Sequence, residues 1–167
     1  LLGGARTSPP APVRDRSLPS VSVASYNIHK CVGTDGLFDP RRIEAVLLEL
    51  NADIVALQEV DARFGDRQGL LNLDLLHNLG RYRAAPDIGS RIRSHGWHGN
   101  VVLYREGVVS SVDRLSLPGL EPRGAIVVDL DLNNISLRVI AAHLGLLRRS
   151  RAQQVSMILN AAQPSDG

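Results

Sequence analysis

The 167 residues suffice for one domain with its own core, and a hydrophobic share of 44% excludes general disorder. Aromatics are 4%, too few for a base-stacking surface, and a net charge of +2 excludes a continuous basic coat for nucleic acid. The single cysteine, Cys31, excludes an internal disulfide and permits a reducing compartment, so a cytoplasmic setting is expected.

Residues 1–20, LLGGARTSPPAPVRDRSLPS, carry Pro, Ser, Gly and Arg without an apolar stretch and are expected to be a disordered leader. A strand follows over 21–28, then a loop marked by Gly33 and Gly36. Asp39 and Pro40 suit the cap and first position of a helix whose apolar face is Ile43, Val46, Leu47 and Leu50, closed by Asn51. ADIVALQEV then reads as a strand covered on both faces. Strand, helix and strand make a right-handed βαβ unit with parallel strands. Asn27 and Glu59, which end those two strands, are thereby brought to one sheet edge, where α/β proteins place ligands.

GLLNLDLLHNLG predicts a helix stopped by Gly80. Short strands are expected near 81–85, 98–105, 108–116, 124–131 and 135–143, with Asn133-Asn134 in a tight hairpin. The segment 148–162 predicts a last helix with Val155, Ile158, Leu159 and Ala162 on one face, before a turn at Pro164, Ser165 and Gly167. The fold class is α/β with a mixed sheet or two packed sheets.

Several residues have chemistry to offer. Glu59 follows an apolar strand; it reads either as a solvated strand end or as an oxygen ligand for a hard cation such as Mg²⁺, with Asn27 beside it. His143, at the end of LRVIAAHLGL, is either a structural hydrogen-bonding residue or an acid/base or phosphate donor. Arg123, in LEPRGAIVV, can fork onto phosphate or pair with Glu121. His95 and His98 in SHGWHGNVVLYR lack a third ligand for zinc, while Gly99 allows close backbone approach. The phosphate loops GxxxxGK[ST] and GxGxxG and the nucleophile elbow GxSxG are all absent, and Cys31 has no assignable base. Lys30 is the only lysine among many arginines. Arginine suits phosphate, but a genome rich in G and C gives the same bias.

The ordered series SYNIH, ALQEV, GNVVLYR, EPRGAI and AAHLGL resembles the endonuclease/exonuclease/phosphatase superfamily over about 21–167. That superfamily includes DNase-I-like nucleases, AP endonucleases, neutral sphingomyelinases and inositol polyphosphate phosphatases. FDPRRIEAVLLELNADIVALQEVD is similar to its bacterial members. The resemblance implies a four-layer α/β sandwich with two central mixed sheets flanked by helices. By the same resemblance Glu59 is the metal ligand for Mg²⁺ or Mn²⁺, and Asn27 stands beside that metal as a catalytic residue. His143 is catalytic at the scissile phosphate, Arg123 and Asn100 are phosphate-binding, and Gly99 and Asn100 shape the wall.

The expected function is a divalent-metal-dependent phosphoester hydrolase of the phosphodiesterase or nuclease type. The substrate is left open among nucleic acid, phospholipid and inositol phosphate, and no stable protein partner is expected. Arg63, Arg67, Arg91, Arg93 and Arg105 are candidate DNA contacts, and GLLNLDLL is either a lipid-facing loop or core helix. The resemblance also implies a Gly-Asp-x-Asn motif and a Ser-Asp-His motif, neither of which occurs in the 167 residues. The chain is therefore expected to be the N-terminal part of the domain, with its C-terminal portion missing, and inactive alone for want of the general base. The alternative is a non-catalytic truncated homologue that binds a partner through an open sheet edge.

Overall fold

A computed structural model describes residues 20–62, 68–85 and 94–163. The expected leader, apart from Ser20, lies outside them, as do Arg63, Arg67, Arg91, Arg93 and the turn at 164–167. The first strand, β1, is Val23–Asn27; helix α1 is Pro40–Leu50; and β2 is Ile54–Gln58. The Asp39 side chain accepts from the Arg41 amide and caps α1 (3.1 Å), and Asn51 ends it in a left-handed conformation. Asp53 then ties β2 to the start of β1, accepting from the Ser22 amide (2.7 Å) and hydroxyl (2.6 Å). The two strands pair in parallel, with Asn27 opposite Gln58, so Glu59 emerges immediately beyond Asn27.

Helix α2 spans Leu73–Gly80 and is shorter than the periodicity predicts, because Asn72 caps it on the Leu75 amide. Its left-handed stop is Arg81, not Gly80. Gly80 is needed for space: a Cβ there would lie 2.7 Å from Leu48 Cδ2. The strands β3 (Arg83–Ala84) and β4 (Val101–Tyr104) complete a first, mixed sheet in the order β1-β2-β4-β3. β5 (Val108–Leu117), β6 (Arg123–Leu132) and β7 (Ile135–Ala142) form a second sheet that is antiparallel throughout, with Asn133 and Asn134 at positive φ in the β6–β7 hairpin.

Alternation along the strands decides the layers. Val55, Leu57, Val101 and Leu103 pack against Leu47 of α1, Leu76 of α2 and Tyr82. Ile54, Ala56, Val102 and Tyr104 face the other way and meet Ile126, Val128, Leu130 and Ala141 of the second sheet. Two sheets thus pack face to face, and α3 (Arg148–Ala162) lies against the far side of β7. No helix among the described residues is long and apolar enough to cross a membrane.

The apolar face expected on α3 is a correction. Ile158 is half-buried, but Val155 and Leu159 are 41% and 59% exposed, Ala162 is exposed, and the buried residue is Gln154. Polar contacts moor the helix: Gln154 donates to the Pro118 carbonyl (2.7 Å) and accepts from the Gly145 amide (2.8 Å). Arg138 donates to the carbonyls of Ala161 (3.1 Å) and Gln163 (2.6 Å).

Leu103→Ala, in the helix-facing core, is expected to cost about 2–5 kcal/mol in urea unfolding. Leu159→Ala should stay within about 0.5 kcal/mol. A large loss at Leu159 would contradict the polar mooring of α3.

Candidate active site

The topology brings five strand termini to one edge. β1 and β2 end there in parallel, and β4 begins there because it runs antiparallel to β2, with Val101 opposite Leu57. In the second sheet β6 begins at Arg123, while β7 ends opposite Ala125 at Ala142. Each terminus delivers polar groups: Asn27, Glu59, the Gly99-Asn100 turn, Arg123 and His143. A cleft of about 580 Å³ opens at this edge, lined by Glu59, Gly99, Arg123 and His143 together with Lys30, Asp61, His98 and Glu121.

Glu59 is the hub. Its backbone is left-handed at φ 58°, a conformation that costs a non-glycine residue roughly 1–2 kcal/mol. Gly99, also at positive φ, lies close against it: a Cβ on Gly99 would be 3.5 Å from Glu59 Cα. Glu59 Oε1 accepts from Asn27 Nδ2 (3.2 Å), and Oε2 accepts from Lys30 Nζ (2.8 Å). Burial alone would raise the carboxyl pKa, but the Lys30 and Asn27 hydrogen bonds and the nearby Lys30 charge outweigh it. The group is held below the ordinary carboxylate range and stays ionised.

His143 and Arg123 form the opposite wall. Arg123 Nη1 donates to His143 Nδ1 (3.0 Å) and Nη2 to Glu121 (2.8 Å), so both the expected ion pair and a site contact are present. An imidazole that accepts at Nδ1 is neutral, with its proton on Nε2. Glu59 Oε1 is 3.8 Å from the same Nδ1, too far for a hydrogen bond. Burial and then the Arg123 charge lower the His143 pKa against the opposing pull of Glu59.

Asn100 stands behind the cleft. It is fully buried, and its Nδ2 donates to the carbonyls of Trp97 (3.1 Å) and Gly124 (3.0 Å), joining the starts of β4 and β6. It shapes the wall in this geometry. Arg105 lies at the far end of β4, donates to Asn51 and stacks over Tyr82, so it does not flank the cleft. Leu71 and Leu76 of GLLNLDLL are core. His95 faces the Leu71 backbone, and burial lowers its pKa. The Cys31 thiol is pushed up to about 11, by burial first and then by Glu44 and Asp39, so it stays protonated.

Asp61 is a cleft carboxylate that the sequence motifs do not single out. Asp61 is buried and accepts from the Ser94 hydroxyl (2.6 Å) and the His95 amide (3.1 Å). Its only signal in the sequence is a second carboxylate two residues after Glu59.

No group of three His, Cys, Asp or Glu among the described residues forms a closed metal cage. The donor set fits Mg²⁺ of the open kind, which uses one or two carboxylates and keeps waters and phosphate as its other ligands. Glu59 is such a carboxylate, ionised and facing a cleft.

The model of the Endonuclease/Exonuclease/phosphatase family matches residues 24–167. No curated protein matches. An endonuclease/exonuclease/phosphatase from Beutenbergia cavernae DSM 12333 is 24% identical with a TM-score of 0.63, over 86% of this chain and 44% of that one. TDP2 from C. elegans is 20% identical at TM-score 0.59, over 84% of this chain and 40% of that one. D. rerio TDP2 complexed with a single strand DNA product is 14% identical at TM-score 0.59, over 87% of this chain and 56% of that one. These likenesses show the fold, and the chain spans only 40–56% of their lengths.

His143 is expected to titrate below the ordinary imidazole value of about 6.5. Its contribution to stability is then full above the unfolded pKa and is lost as pH falls through the lower folded value. Glu59→Gln removes the charge that favours protonation and should lower the value further. An NMR titration checks both, and a pKa raised above the unfolded value would contradict the neutral Nδ1 acceptor.

Proposed function

The chain belongs to the endonuclease/exonuclease/phosphatase family, and on that premise we propose that its cleft is the metal- and phosphate-binding side of a divalent-metal-dependent phosphodiester hydrolase. The observation that carries the reading is the convergence, at one edge of two packed sheets, of an ionised Glu59 with Asn27, Arg123 and His143.

Glu59 would hold Mg²⁺ or Mn²⁺, with Asn27 fixing the carboxylate. Such an ion, when bound, polarises a phosphoryl oxygen and offsets charge on the leaving oxygen. The chain's own residues do the rest of what is visible. Arg123 presents a guanidinium fork already braced by Glu121, so its charge is set in place before substrate arrives. Neutral His143 keeps an Nε2 proton to donate to charge that builds on the phosphate in the transition state. The Gly99 turn keeps the wall next to Glu59 thin enough for close approach. Among the described residues, the carboxylates lining the cleft are already engaged: Glu59 by Asn27 and Lys30, Asp61 by Ser94 and His95, and Glu121 by Arg123. A base for the attacking water is therefore sought outside the described residues, and hydrolysis is a property proposed for the whole protein in the cytoplasm. The DNA product held by D. rerio TDP2 makes a single-stranded oligonucleotide the first substrate to test.

Calorimetric titration with MgCl₂ or MnCl₂ is expected to show one site. Glu59→Gln should weaken it by more than the roughly 10–100-fold that loss of a supporting residue costs. In the whole protein, His143→Ala should reduce oligonucleotide hydrolysis by roughly 10²–10³-fold. Metal binding unaffected by Glu59→Gln would contradict the reading. Metal binding without hydrolysis of any phosphodiester would favour a binding module.

A further inference from the structure

We propose that Lys30 is a tethered cation that holds Glu59 in place before the metal arrives, and that it then turns its ammonium to the substrate phosphate. This rests on the metal-dependent reading above and adds a residue and an order to it: metal and phosphate enter the site cooperatively through Lys30.

The backbone supplies the first reason. His29, Lys30 and Cys31 are consecutive residues at positive φ (47°, 54° and 60°), none of them glycine. A run of left-handed residues is strained and persists only where its surroundings fix it. Here the Asn27 side-chain oxygen accepts from the His29 amide (2.9 Å), and Cys31 is buried. The turn leaves strand β1 and delivers Lys30 straight back to the end of β2. Without that turn, a residue three beyond Asn27 would have no reason to meet Glu59.

The contact itself supplies the second. Nζ is 2.8 Å from Oε2, on the carboxylate oxygen that Asn27 leaves open. The Lys30 side chain is 37% exposed against 17% for Glu59, so the cation stands on the solvent side of the pair, where an ion or phosphate enters. An ion pair this exposed contributes little, so a divalent ion displaces it easily. The freed ammonium stays in the cleft that Arg123 and His143 also line.

Residue type supplies the third. Lys30 is the only lysine in the chain. An ammonium on a four-carbon stem is a compact charge that can swing between two anions, whereas the rigid arginine fork suits one fixed partner. Among the described residues the two cationic positions in the cleft divide accordingly, with Arg123 braced and Lys30 movable.

Calorimetry separates the outcomes. Wild type, Lys30→Gln, Glu59→Gln and the distant charge control Arg81→Gln are titrated with MnCl₂, then with inorganic phosphate in saturating MnCl₂. Lys30→Gln is expected to bind Mn²⁺ alone up to about fivefold more tightly, because a competitor is gone. It should bind phosphate roughly tenfold or more weakly, because a charged donor is gone. Arg81→Gln should change neither. Lys30→Asn, whose side chain tolerates the left-handed backbone, repeats the test if the glutamine variant folds poorly. Mn²⁺ binding lost in Glu59→Gln but unchanged in both Lys30 variants, with phosphate binding intact, would overturn the role of Lys30 and leave the metal site standing. Absence of Mn²⁺ binding in wild type would overturn both.

Discussion

A carboxylate at the end of a strand buried on both faces is the constraint from which the site follows. Glu59 cannot retreat into the core without losing its charge, and with Gly99 close against its backbone its side chain is left partly exposed at the cleft. The chain resolves this by turning Glu59 into the left-handed region and surrounding it with donors. Asn27 and Lys30 come from the end of β1. His143, from the second sheet, faces the same carboxylate at 3.8 Å without a hydrogen bond.

The two sheets must therefore be packed correctly for the site to exist. Their contact is a layer of aliphatic side chains around Ile54, Val102, Ile126 and Val128, and at the cleft end it narrows to a few special groups. Gly124 is one: a Cβ there would sit 2.7 Å from the rings of Trp97 and His98. Asn100 is another, since its amide joins the starts of β4 and β6 through the Gly124 carbonyl. Arg123, one residue earlier, is thereby placed opposite Glu59. Core packing and site geometry are one problem here, as expected where interiors are close-packed.

Much of this was legible in the sequence because it depends on local signals. Asp39, Pro40 and Asn51 bound a helix through caps and backbone preferences that need no partner, and the βαβ unit follows from short links. Parallel pairing then carries Asn27 and Glu59 to one edge without any knowledge of side chains. The apolar face expected on α3 failed because periodicity tells which residues share a face but not what the face meets; the helix is held instead through Gln154 and by Arg138 at its end. Lys30 was unreadable because its contact depends on three successive left-handed residues, which no propensity predicts for His, Lys and Cys. Arg105 misled because the sequence puts it at the C-terminal end of β4 but does not record that the antiparallel pairing with β2 turns that end away from the cleft.

The most direct test of the central claim is where a paramagnetic divalent ion settles. In an NMR titration with substoichiometric Mn²⁺, the amides of Asn27, Lys30, Glu59 and Gly99 and the ring of His143 are predicted to broaden first. Glu59→Gln should abolish that pattern. Broadening centred instead on Asp129 and Asp131, at the opposite end of the second sheet, would show that the converging strand ends are not a metal site.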